Sequence, residues 1–313
     1  MLDTVEAISS FNKNKSHILN SLSQLHDQNF EQAKSHISIF QNFVEKSESL
    51  LNNQHADNIF NEFYLLKVLC SLLISYISFW QKISKSEFSE SWVKLQDAQD
   101  ILRVIFRLSS TSRLPLLEII EKQCGELEKL YPYNVFMSTG MVIKEVECNI
   151  CGKSINSFDC EHIIGELYRG KMAQGRIKEI KELNHVALVE KPANKRCVVK
   201  YENDAKQFRL VKYLGGILNK RLLSPLAFSN VEYKTITLAK DELPQISRNA
   251  KCFCGSNKKY KKCCIYKETV EKQHVDIVGS PSIDAAKLNN SIKLTCEPVH
   301  SLGVTEGCNA PDS

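Results

Sequence analysis

The sequence predicts an α+β protein: an all-α helical bundle over residues 1–132, a small mixed, metal-stapled α+β domain over 133–246, a short cysteine-rich module over 247–268, and a disordered tail over 269–313. Three observations carry this expectation. Between Leu2 and Tyr131 stand one proline, Pro115, and one glycine, Gly125, while apolar residues recur at helical steps. Seven of the 12 cysteines fall in two tight clusters beyond residue 147. Charge is also uneven: net −4 over residues 1–147, +12 over 148–270 and −3 over 271–313, within a chain of net +5. At 43% hydrophobic and 25% charged residues the composition is that of a globular protein and excludes a collagen, a wholly disordered chain or a coiled-coil rod.

About five helices are expected in the first part. Ile18, Leu22 and Leu25 share one face; Phe40, Phe43 and Leu50/Leu51 form a second stripe. Trp92, Leu95, Leu102, Ile105 and Phe106 form a third, and Leu116, Ile120, Leu127 and Leu130 a fourth. Breaks are expected at Asn52-Asn53, Ser84–Ser89 and Ser109–Arg113, and Pro115 suits a first helical turn, where its missing N–H costs nothing. Trp80 and Trp92 are candidates for core residues or for anchors at an interface.

The most apolar stretch, Phe63–Trp80, carries Lys67, Ser71, Ser75 and Ser78, and its length falls short of a full membrane span, so a buried core helix is expected and no transmembrane segment. The start, MLDTVEAISSFNKNK, lacks the basic region and cleavage site of a secretory signal. A cytoplasmic location follows as the expectation, and in that reducing setting clustered cysteines point to metal or redox chemistry before disulfides.

The first cluster is Cys148, Cys151, Cys160 and His162, spaced C-x2-C-x8-C-x-H. Three soft thiolates and one imidazole make a four-ligand tetrahedral zinc set, and with no open position the ion would be structural. Gly152 lets the backbone turn so that Cys148 and Cys151 face one point. A redox C-x-x-C is the competing reading, but the βαβ setting that favours one is missing. His162 alone could also be a hydrogen-bonded core histidine. The longer pattern, continuing through Gly165, Tyr168 and Gly170, resembles a zinc knuckle of uncharacterised bacterial and phage-associated proteins. The segment after it, LNHVALVEKPANKRCVV, is similar to a strand-turn segment of phage prohead proteases; the resemblance carries over a β-rich segment and no catalytic residue. Strands are expected at Val186–Val189 and Cys197–Tyr201, with a turn at Pro192–Asn194.

The second cluster is Cys252, Cys254, Cys263 and Cys264, spaced C-x-C-x8-C-C. Four thiolates at this spacing suit Zn²⁺, and an all-thiolate site also accepts iron. With Arg248-Asn249 before it, Gly255-Ser256 and the run Lys258-Lys259-Tyr260-Lys261-Lys262 inside it, the segment resembles the SEC-C metal-binding motif, found at the C-terminus of the preprotein translocase ATPase and in otherwise unrelated bacterial proteins. It departs from the usual pattern at Lys251 and Phe253, where proline is common, and at Asn257, where glycine is common; no ligand is lost. In the translocase the related motif contacts an acidic export chaperone, lipids and the ribosome. The resemblance implies a bacterial chain with a rigid cationic knob formed by Arg248, Lys251, Lys258, Lys259, Lys261 and Lys262.

Residues 206–223 are expected to form a basic amphipathic helix, interrupted at Gly215-Gly216, that packs Leu210, Tyr213, Leu214, Ile217 and Leu218 into the middle domain. A short strand and linker are expected over 231–247, core roles for Cys70 and Cys124, and free thiols at Cys296 and Cys308. Neither a phosphate-binding glycine loop nor an H-E-x-x-H or G-x-S-x-G motif occurs, and no catalytic residue is nominated. The expected protein is a non-enzymatic adaptor holding two zinc ions per chain and docking on an acidic protein or the ribosome; the alternative is a nucleic-acid-binding or processing protein of mobile-element or phage-defence type.

Overall fold

The computed structural model describes residues 4–51, 57–108, 115–254, 256 and 258–279. Six α-helices run over Thr4–His26 (α1), Phe30–Ser49 (α2), Asp57–Ser84 (α3), Phe88–Leu108 (α4), Pro115–Glu128 (α5) and Arg209–Asn219 (α6). Strands are Phe136–Cys148 (β1), Leu167–Tyr168 (β2), Lys171–Met172 (β3), Gly175–Val189 (β4), Phe228–Ala239 (β5) and Thr269–Gly279 (β6). They pair as three two-stranded sheets, β1-β4, β2-β3 and β5-β6. Two compact units result, the first ending at Phe228 and the second spanning Ser229–Gly279.

The first unit is built on α3. It is the one helix among the described residues long and apolar enough to cross a bilayer, yet its Leu72, Leu73 and Tyr76–Trp80 are buried, and it packs against α2, α4 and α6. Ile18, Leu22 and Leu25 from α1 and Ile37, Phe40 and Val44 from α2 are buried in the same core. Leu50 is an exception to the expected stripe: it stands 57% exposed at the C-cap of α2. Both tryptophans are core residues. Trp80 lies edge-on to Phe79 at 5.2 Å and Phe228 at 6.1 Å. Trp92 sits among Tyr131, Tyr133 and Phe136 and donates its indole N–H to the Lys195 carbonyl at 2.8 Å. Cys70 and Cys124 are buried as expected, and burial pushes both thiols up to about 12, which removes their reactivity.

The α1–α2 break has no glycine or proline to announce it. Gln28 adopts φ 62°, and its side-chain amide donates to the Leu218 and Leu223 carbonyls at 3.1 and 3.3 Å, so contacts from the end of α6 hold a conformation glutamine rarely takes. The turn at Ser84–Ser89 is present, with Ser86 at φ 60°. The expected breaks at Asn52-Asn53 and Ser109–Arg113 lie outside the described residues.

Three expectations for the remainder are corrected. The 206–223 helix docks on α3, and it runs through Gly215-Gly216 without interruption: a Cβ on Gly215 would stand 3.2 Å from the Ile83 carbonyl, so the small residue permits close approach of two helices. Val211, Leu214 and Leu218 face the core, whereas Tyr213 is 50% exposed. Residues 197–201 form no strand. One backbone bond, Met137 N to Cys197 O at 2.7 Å, ties them to β1, and the preceding Lys195 and Arg196 reach Glu128 on α5 and Asp97 and Asp100 on α4 instead. Residues 269–279, expected within the disordered tail, are β6, which completes a pair with β5; positions from 280, including Cys296 and Cys308, lie outside the described residues. The strand expected at Val186–Val189 is the end of a much longer one, β4, which pairs antiparallel with β1 over nearly its whole length.

Replacing Trp92 by alanine empties the aromatic cluster that joins α4 to the start of β1. The expected loss is about 3–5 kcal/mol of unfolding free energy, measured by urea denaturation followed by circular dichroism; a loss well below that range would place Trp92 outside the core.

Candidate metal centres

The first centre grows from the end of the β1–β4 ribbon. Cys148 is the last residue of β1, and its N–H donates to the Lys153 carbonyl at 2.8 Å while its carbonyl accepts from Gly152 N at 2.8 Å. Gly152, at φ 72°, closes this knuckle as the sequence anticipates. Asn149 latches it to the segment that joins β3 to β4: its N–H donates to the Gln174 carbonyl at 3.0 Å, its side-chain amide donates to the Met172 carbonyl at 3.0 Å, and its side-chain carbonyl accepts from Gln174 N at 2.8 Å. Cys160 and His162 return on the following loop.

The ligand atoms of Cys148, Cys151, Cys160 and His162 all lie within 4.8 Å of one another. Cys151 Sγ and Cys160 Sγ stand 3.7 Å apart, close to the edge of about 3.8 Å expected for a tetrahedron of Zn–S bonds about 2.3 Å long. His162 Nδ1 is buried and has no hydrogen-bond partner among the described residues. A core histidine would spend that atom on a hydrogen bond; a ligand keeps it for the ion. The Tyr168 ring meets the imidazole edge-on at 4.6 Å, and its hydroxyl accepts from Ile163 N at 2.8 Å, so one side chain fixes both the ring and the loop.

The small hairpin β2-β3 then pins the centre to the bundle. Arg169 and Gly170 both have positive φ, the conformation of a tight two-residue hairpin turn. The Arg169 guanidinium lies 4.5 Å over the Phe60 ring and donates to Asp57 at 2.6 Å, and Gly170 N donates to Asn61 Oδ1 at 2.8 Å. A Cβ at Gly170 would approach the Phe60 carbonyl to 2.8 Å, so only glycine fits there. Arg107 of α4 adds a bond to the Ile164 carbonyl at 3.0 Å.

The second centre belongs to the other unit. Cys252, Cys254, Cys263 and Cys264 converge within the same 4.8 Å limit. Sγ separations are 3.5 Å for Cys254–Cys263 and 3.6 Å for Cys263–Cys264, again near a tetrahedral edge. The loop is closed by Cys252 N to Lys258 O at 2.8 Å, Tyr260 N to Ala250 O at 2.8 Å and Lys261 N to Arg248 O at 2.9 Å. Beneath the sulfurs sits a minimal core in which Cys252 and Cys264 are buried with Leu243 and Val270. Phe253 and Tyr260 cover it, their ring centroids 5.8 Å apart. Arg248, Lys251, Lys258, Lys259, Lys261 and Lys262 are all exposed to solvent, and among the described residues none of them makes an ion pair.

Thiol acidities differ within each centre. Hydrogen bonds from Ser256 pull the Cys254 thiol down to about 6, whereas burial and then the facing sulfurs push Cys264 up. Bonds from the Cys151 backbone hold Cys148 below the ordinary thiol value; at Cys160 a lowering backbone bond at His162 is outweighed by burial and by the Cys151 and Cys148 sulfurs, and the thiol is raised. A cation at either centre would relieve this crowding by taking every sulfur as thiolate.

The eight ligand candidates thus assemble as two groups of four, and the six basic residues frame the second group. Sequence reasoning passed over the supporting roles of Asn149, Tyr168 and Ser256. Tyr168 and Ser256 lie inside the quoted patterns, but only the fold shows that they touch His162 and Cys263, the latter with Ser256 Oγ 3.2 Å from its sulfur.

The family model of the SEC-C motif matches residues 248–265. This segment is a SEC-C motif. Its span takes in all four cysteines of the second centre and all six exposed cations. No curated protein and no solved structure matches the chain.

Replacing Asn149 by alanine removes the two side-chain bonds of the latch between the first knuckle and the segment entering β4 and leaves its backbone bond. Amide hydrogen exchange at Gln174 should accelerate at least about tenfold, while the β5-β6 pair remains unchanged; unaltered exchange at Gln174 would show that the knuckle is held without the latch.

Proposed function

We propose that this chain is a non-enzymatic adaptor in which two structural zinc ions fold two small modules and the SEC-C module docks on an acidic partner, the ribosome or an export chaperone among those the motif's resemblance suggests. The observation that carries the reading is the set of six exposed cations, without ion pairs among the described residues, wrapped around four converged sulfurs. So closed a donor set has no open position for substrate, which favours structure over catalysis. Rigid presentation is what a metal staple adds: without it the lysine run would be a flexible tail that loses entropy on docking. The same cations would also accept phosphates, and the +12 charge of residues 148–270 keeps nucleic acid as the second reading. Zn²⁺ suits both donor sets, and iron suits only the all-thiolate one.

Metal analysis of the purified chain should find two tightly held zinc equivalents, falling to one in Cys252→Ser and to one in Cys148→Ser; finding none would refute both centres. Zinc retention against a chelator should weaken as pH falls from about 8 to about 6, because each thiol gives up its proton on binding and the metal-bound state carries fewer protons. Capture of ribosomes or an acidic chaperone should be lost in Cys263→Ser. A steep salt dependence of RNA binding, lost in that same variant while acidic proteins fail to bind, would replace the adaptor reading by the nucleic-acid one.

A further inference from the structure

Apart from Cys148 at its end, the β1–β4 ribbon contributes no ligand candidate to either metal centre, and its surface is unusual. Nearly every β4 residue is exposed. Its apolar residues Ile177, Ile180, Leu183 and Val186 recur every third position, a period that would scatter them over both faces of a regular strand. Four register shifts along the ladder correct this. They bring Met141 opposite Leu183, Ile143 opposite Ile180 and Val146 opposite Ile177, in phase with Met137 opposite Leu188. The intervening pairs, Val142–Glu182, Glu145–Glu179 and Glu147–Arg176, take the other face. There the ribbon supplies its own counter-charges: Lys144 pairs with Glu179 at 2.8 Å, and Lys178 with Glu145 and Glu147.

One face is therefore an aliphatic strip. Leu183, Val186 and Leu188 are 67, 64 and 72% exposed, and Met137, Met141, Ile143, Ile177 and Ile180 lie between 38 and 47%. Eight such side chains present on the order of 700 Å² of apolar surface, above the roughly 300–600 Å² patch of an ordinary monomer and near the roughly 800 Å² per partner of a stable complex. A two-stranded ribbon with both faces wet is also marginal by itself.

We propose that this strip is the homodimer interface, in which the ribbons of two copies pack face to face into a four-stranded sandwich. Three features select a second copy as the occupant. The strip carries no charge that would recruit a partner of opposite sign. Its area matches one side of a dimer. Its rows come in antiparallel strands, so a copy turned by a half-rotation offers matching rows to the first, as an isologous interface requires. Bulges then have a purpose: they hold in one plane a set of side chains that regular pairing would disperse.

Sedimentation velocity of the full-length, zinc-loaded chain over a micromolar concentration series tests this. The wild type should sediment at twice the chain mass. Ile180→Lys and Leu183→Lys should each weaken association at least about thirtyfold, the ratio expected for central interface residues. Both should keep the wild-type circular dichroism spectrum and metal content, since each side chain is already largely solvated. Glu182→Lys, on the opposite face, should leave the dimer intact. A monomeric wild type, a dimer indifferent to both lysine substitutions, or equal loss with Glu182→Lys would each overturn the proposal.

Discussion

In both small modules four side-chain donors, three thiols with an imidazole in one and four thiols in the other, converge on one point. In the second unit the apolar residues beneath the sulfurs are few: Leu243 and Val270 are buried, with Leu238, Phe253 and Tyr260 as partial cover. Burying two aliphatic side chains contributes a few kcal/mol, at about 1.5–3 kcal/mol each. Closing a zinc–thiolate site in a peptide of this size contributes on the order of 10–16 kcal/mol. With an ion held there, that larger number would make sulfur placement the interaction that organises the loop, and the small core would follow it.

The first centre solves the same problem differently. Its donors sit where a strand pair ends, so the ribbon ladder and the Asn149 latch share the task of holding the loop. The β2-β3 hairpin ties that loop to α3 through Phe60 and Asn61, and Arg107 ties it to α4. At the other end of β1, Phe136 joins the Trp92 cluster, and Arg196 grips Asp97 and Asp100. The helices thus form a platform to which the ribbon is fastened at both ends.

The places where sequence reasoning failed share a cause. Gln28 turns the chain because Leu218 of α6 and Leu223 just beyond it supply two carbonyls from 190 and 195 residues away, and no local propensity encodes that. Gly215 reads as a helix breaker, yet the nearby Ile83 backbone makes it a packing residue. The Cys197–Tyr201 stretch has the β-branched composition of a strand, but the chain around it is fastened through side chains to α4 and α5 in place of a ladder. The 269–279 segment alternates too weakly to announce a strand, and pairing with β5 supplies what propensity lacks.

The helical first half, the eight candidate donor residues and the charge of the face around the second centre are all legible along the chain. They are written in local terms: helical period, ligand spacing and a run of lysines. Only the folded arrangement brings each set of donors within one ion's reach, turns both tryptophans inward, and makes a three-residue apolar period into a single aliphatic face. Each of these depends on register or on contacts between distant segments, and a one-residue slip in a strand pair would move every side chain beyond it to the opposite side.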